Sequence, residues 1–93
     1  ASSAARTDAL TGLPNRAAFN EALAAPAAAG ERAILFLDLN GFKGVNDSLG
    51  HDAGDRVIVA TAARLAAVAG ADAMLARIAG DEFVLLLSGP DAR

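Results

Sequence analysis

The sequence predicts a single α/β domain, and three observations carry the prediction. Residues 33–37 form an unbroken apolar run that ends in Asp38. Two further short runs, 74–78 and 83–87, flank the turn Ala79-Gly80-Asp81-Glu82. Between and before these runs, apolar residues recur at helical spacing. The 93 residues suffice for one domain. Hydrophobic residues make up 54 % of the chain, but 25 residues are alanine. The core is therefore modest, and its helices pack closely.

Residues 1–7 read as a flexible lead-in. The stretch from Asp8 to Arg16 is dense in turn formers, and Asn15 is placed to cap a helix starting at Arg16. Phe19, Ala22 and Leu23 give that helix one apolar face, and Pro26 and Gly30 end it. The continuous run at 33–37 reads as a strand buried on both faces, hence central in a sheet covered by helices. A short helix is expected over 42–49, with Phe42, Val45 and Leu49 on one face. Residues 50–55 read as a second turn, with Asp52 or Asp55 capping a helix that runs from about Asp55 to Ala69. That helix places Ile58, Thr61, Ala62, Leu65 and Val68 on one side, and Gly70 ends it. The two apolar runs around Gly80-Asp81 form a hairpin, with glycine supplying a positive φ. The stretch 88–91 stops its second strand, and 89–93 is a tail.

The formal net charge is −3, with no cluster of basic residues. This argues against a surface that tracks a nucleic acid polymer. There is no cysteine and one histidine, His51, so thiolate and multi-histidine metal sites are excluded. No phosphate-binding loop of the GxxxxGK[ST] type is present. No apolar run approaches the ~20 residues needed to cross a bilayer.

The candidate chemistry lies in carboxylates. An acid at the carboxyl end of a strand sits where open α/β sheets bind ligands. Asp38 alone reads equally well as a cap of the next turn, whereas Gly80-Asp81 alone reads first as a solvated turn. A crossover that sets the first strand beside the hairpin brings Asp38 near Asp81 and Glu82. Three carboxylates from two loops would suit a hard cation such as Mg²⁺.

Five motifs then stand in order: Asp8 to Arg16 (DALTGLPNR), Leu37 to Lys43 (LDLNGFK), Val45-Asn46-Asp47, Gly50 to Asp55 (GHDAGD) and Arg77 to Phe83 (RIAGDEF). Together they resemble the signature of the GGDEF domain, the catalytic domain of bacterial diguanylate cyclases, over residues 8–88. The resemblance implies a palm-like, nucleotidyl cyclase-like sheet flanked by helices, cut short after the signature hairpin. It implies GTP as substrate, Mg²⁺ or Mn²⁺ as cofactor, and a homodimer that condenses two GTP into cyclic di-GMP. Carried over by position, Asp38, Asp81 and the Leu39 carbonyl would hold metal. Asp81 would activate the attacking hydroxyl, with Glu82 as its acidic partner. Asn46 and Asp55 would recognise guanine. Lys43, Ala79 and Gly80 would lie along the phosphates, although Lys43 alone reads equally as a surface lysine. His51 and Arg77 read as structural.

The sequence departs from the family pattern in three places. Ala79 stands for the first glycine of the signature, and Asn40 for the second acid of the usual D-x-D. Where many members carry R-x-x-D for product inhibition, this chain has Gly70-Ala71-Asp72-Ala73. The resemblance further implies a cytoplasmic domain, fused to a sensor or to a cyclic di-GMP phosphodiesterase. The alternative it leaves is a catalytically weak GTP-binding module that regulates such a phosphodiesterase.

Overall fold

The computed structural model describes residues 6–25 and 31–89 and, of Glu31 and Gly89, the backbone only. The elements follow the predicted order: α1 (Arg16–Ala24), β1 (Glu31–Asp38), α2 (Phe42–Leu49), α3 (His51–Ala69), β2 (Ala73–Ala79) and β3 (Glu82–Gly89). Asn15 caps α1, its side-chain oxygen accepting from the Ala18 amide at 2.9 Å. The stops expected at Pro26, Gly30, Pro90 and Asp91 lie outside the described residues. Ser88 and Gly89 still belong to β3.

The second expected turn is mostly helix. α3 starts at His51, so residues 51–55 are its first turns. Gly50 alone absorbs the change of direction, at φ +91°, where a side chain would be strained. Neither Asp52 nor Asp55 caps the helix through a side chain, although Asp52 lies in its first turn and suits its positive end. Consecutive turn formers thus marked a single glycine hinge rather than a loop.

The sheet has the order β1-β3-β2, and β3 runs antiparallel to both neighbours. β1 and β2 therefore run in the same direction, with β3 between them. The position expected for β1 is corrected: among the described residues it is an edge strand, and β3 is central. An apolar run reports burial on two faces, not the number of neighbouring strands. Even burial is incomplete, since Phe36 is 73 % exposed and Leu35 46 %.

Strand alternation explains the two-sided core. Val84 and Leu86 of β3 face α1, packing with Phe19 and Ala76. Phe83 and Leu75 face α3, packing with Ile58 and Ala62, and Leu37, Leu39 and Phe42 close over this side. The expected apolar face of α3 holds at Ile58 and Ala62 but fails at Val68, which is 86 % exposed. Val68 is in the last turn of a helix whose buried residues all lie in its first two-thirds. Among the described residues, no helix is long and apolar enough to cross a membrane.

Phe83, Ile58 and Val84 are the largest fully buried side chains. Phe83→Ala is expected to cost about 3–5 kcal/mol, read by chemical denaturation, because cavities at such sites collapse poorly. Phe83→Leu is expected to lose clearly less.

Candidate functional site

The site is assembled around the turn that joins β2 to β3. Ala79 pairs with Glu82 across it, and the register shifts between Arg77 and Ala79. Neither Gly80 nor Asp81 takes positive φ, so the turn differs from the glycine-dependent hairpin expected from the sequence. The shift at Ile78 supplies local twist instead, as bulges do. Ala79 also has no positive φ, so its methyl sits there without backbone strain.

Arg77 ties this turn to the start of the domain. Its Nε donates to the Gly80 carbonyl at 3.0 Å. Its Nη1 donates to both Asp8 carboxylate oxygens, at 3.0 and 3.1 Å. Its backbone amide donates to the Pro14 carbonyl at 3.1 Å. Asp8 in turn accepts from the Thr11 hydroxyl at 2.7 Å and amide at 2.9 Å. The expected structural role of Arg77 is thus a clamp across 69 residues of chain. Asp8 was not singled out from the sequence, where it reads only as one more turn former. Burial pushes the Asp8 carboxyl up, but the Thr11 and Arg77 bonds more than offset this and hold it below its ordinary value.

The pairing of β1 with β3 brings the acids together. Asp38 lies opposite Glu82 in the register, and the Leu39 amide donates to the Asp81 carbonyl at 3.2 Å. The Asp38 carboxyl is pushed above its ordinary value, chiefly by a hydrogen bond with the Asp81 carboxyl and by that group's charge. Glu82 adds only charge. Of the two expected partners of Asp38, Asp81 acts on it the more strongly. Among the described residues, no three acidic or histidine side chains group closely enough to hold an ion alone. Asp81 lies in the turn, and Glu82 opens β3 directly opposite Asp38, so the side chains of Asp38 and Glu82 share a face of the sheet.

The remaining candidates lie on the helices. Lys43 is exposed near the start of α2. Asn46 is half-buried, and its Oδ1 is buried without a hydrogen-bond partner. Asp55 is exposed on α3 and lines an apolar depression of about 350 Å³ with Leu10 and Val59. Ala79 and Gly80, with Arg16 and Arg77, line a separate cleft of about 420 Å³. None of Asp38, Asp81, Asn46 and Asp55 lines that cleft, which marks the clamp rather than the acid pair.

A family profile described as "Diguanylate cyclase, GGDEF domain" matches residues 5–93. The chain belongs to the GGDEF family. Diguanylate cyclase TpbB of Pseudomonas aeruginosa is 45 % identical over 97 residues, covering 95 % of this chain and 22 % of that protein. Cyclic di-GMP phosphodiesterase NbdA of the same organism is 45 % identical over 87 residues, covering 88 % of this chain and 11 % of that protein. Among solved structures, the coiled coil and GGDEF domain of DgcB from Caulobacter crescentus, in complex with c-di-GMP, superposes with a TM-score of 0.83. It is 37 % identical, and the match covers 91 % of this chain and 47 % of that one. The nucleotidyl cyclase-like fold implied by the motifs is thus the fold of the chain. This GGDEF chain spans a small part of the curated relatives it matches.

The clamp has a pH signature. A carboxyl held below its unfolded value contributes stability that is present above that value and lost as pH falls through the folded one. Asp8→Asn is expected to cost about 1–3 kcal/mol at pH 7. The gap to the parent protein should close as pH drops below about 4, near the ordinary carboxyl value. Denaturation measured across pH 2–7 checks this.

Proposed function

We propose that this GGDEF chain forms one half of a diguanylate cyclase site, in which two GTP molecules condense to cyclic di-GMP across two facing copies. The observation that carries the reading is the β1–β3 pairing that sets Asp38 opposite Glu82 and ties Leu39 to Asp81 at the end of the sheet. Two carboxylates and the neighbouring Leu39 carbonyl are hard oxygen donors. Mg²⁺ and Mn²⁺ suit such a set, since Mg²⁺ takes one or two carboxylates and completes its shell with waters and substrate phosphates. A pair whose like charges raise the Asp38 carboxyl also gains from a dication placed between them. A bound cation would polarise the α-phosphate and offset charge on the attacking and leaving oxygens.

The residues of the chain divide the remaining work. Asp38 and Asp81 hold the cation. Asp81 accepts the proton of the attacking 3′-hydroxyl, with Glu82 as a nearby acid. That hydroxyl forms a bond to the α-phosphorus of the opposite GTP, and pyrophosphate leaves. Asn46 and Asp55 meet the guanine edge, where a carboxylate matches the N1–H and N2–H₂ donors. Lys43 and the backbone at Ala79 and Gly80 follow the phosphates. The roles rest on position in the family signature, and two structural facts support them. The acids adjoin, and Ala79 fits its turn without strain.

A second reading draws on the similarity to the phosphodiesterase NbdA and on Ala79 in the signature. In it the domain binds GTP without turnover and regulates a neighbouring phosphodiesterase domain. Incubation of the purified protein with GTP and Mg²⁺, at concentrations that favour dimers, separates the two. The cyclase reading expects cyclic di-GMP, and a rate lowered by roughly 100-fold or more in Asp81→Asn. GTP bound without product selects the regulatory reading. Absence of both binding and product contradicts each.

A further inference from the structure

Gly54 is the single glycine of the 19-residue helix α3, whose other small positions are alanine. Alanine is the better helix former by a clear margin, so a buried glycine here costs the helix something. Its surroundings give the reason. A Cβ built on Gly54 would lie 1.8 Å from Asn46 Oδ1, 2.9 Å from Asn46 Cγ and 3.3 Å from Phe42 Cζ. The first two distances are closer than atoms can approach, and the third is already tight. The other helical glycine, Gly44, has open space where its Cβ would be. The fit is thus specific to the face of α3 on which α2 rests.

Asn46 occupies that space. Its amide oxygen is buried against α3 with no hydrogen-bond partner. Burying an acceptor unpaired is unfavourable, so packing alone would favour a leucine or alanine in its place. Asn46 as a whole is only half-buried. The amide is therefore held with its oxygen turned to α3. Its nitrogen, which makes no bond within the described residues and is not among the buried unpaired atoms, is left to donate.

We infer that Gly54 is a positioning residue: its missing side chain is the seat that fixes the Asn46 amide for recognition of a purine base. The inference rests on the guanine-nucleotide reading above and deepens it, since it says how α2 and α3 together orient the base-reading group. Gly54 touches no nucleotide in this scheme and acts only through Asn46. Asp55, the next residue on the same helix, is carried by the same turn. A shift of α2 away from α3 would therefore change the spacing between the two base-reading groups.

A double-mutant cycle tests the seat. Gly54→Ala, Asn46→Ala and the double variant are compared with the parent protein in nucleotide-free thermal melts and in equilibrium binding of GTP and ATP with Mg²⁺. The seat predicts strong coupling, because Asn46→Ala vacates the space the new methyl needs. The double variant should melt close to Asn46→Ala alone. In binding, Gly54→Ala should weaken GTP by roughly tenfold and lower the GTP-to-ATP preference to that of Asn46→Ala, leaving ATP binding largely unchanged. A merely structural glycine would weaken both nucleotides alike. If Gly54→Ala does not fold alone, the double variant decides. Folding and binding like Asn46→Ala supports the seat, and failure to fold overturns it. Additive melting losses, or an unchanged preference in Gly54→Ala, also overturn it. A parent protein with no preference for GTP over ATP overturns the guanine reading and the ligand half of this inference together. The nucleotide-free cycle then still judges the packing half.

Discussion

The register of β1 on β3 is the constraint on which the site depends. Leu37 opposite Phe83 sets the register from the α3 side of the core, and Asp38 opposite Glu82 follows one step later. Because strand side chains alternate, a slip of one residue would turn Leu37 away from Phe83 and carry Asp38 past the turn. The core therefore fixes where the acid ends. Packing of a fully buried phenylalanine and the placing of an exposed carboxylate are two consequences of one pairing.

A second tie acts on the turn itself. Arg77 holds the Gly80 carbonyl with one side-chain nitrogen and Asp8 with another, so the turn is braced from the side away from Asp38. On the near side, the Leu39 amide holds the Asp81 carbonyl. The turn is thus fastened to both the start of the domain and the end of β1. Held between them, the turn keeps Asp81 beside the end of β1, where its charge pushes the Asp38 carboxyl above its ordinary value. In the proposed cyclase this repulsion is the feature a divalent cation would relieve. It also fits a site whose donors come half from protein and half from phosphates.

Much of this was legible in the sequence. Periodicity located all six elements, and Asn15 marked the start of α1 to the residue. The motifs gave the family. What failed was what periodicity does not encode. The run at 33–37 looked central because it is apolar on both faces, yet among the described residues it pairs with β3 alone. Residues 50–55 looked like a loop because glycine and aspartate crowd there, although Gly50 alone makes the bend. Asp8 was hidden because its partner Arg77 is remote in sequence. Gly54 was hidden because its reason is the Asn46 side chain on another helix.

The central claim is that Asp38 and Asp81 act as one divalent-cation site completed by a guanine nucleotide. Its most direct test is Mn²⁺ binding, followed by electron paramagnetic resonance with a non-hydrolysable GTP analogue present. The account predicts tight binding to the parent protein, and its loss in both Asp38→Ala and Asp81→Ala with the fold intact by circular dichroism. Equal Mn²⁺ affinity in the parent and either variant would contradict it.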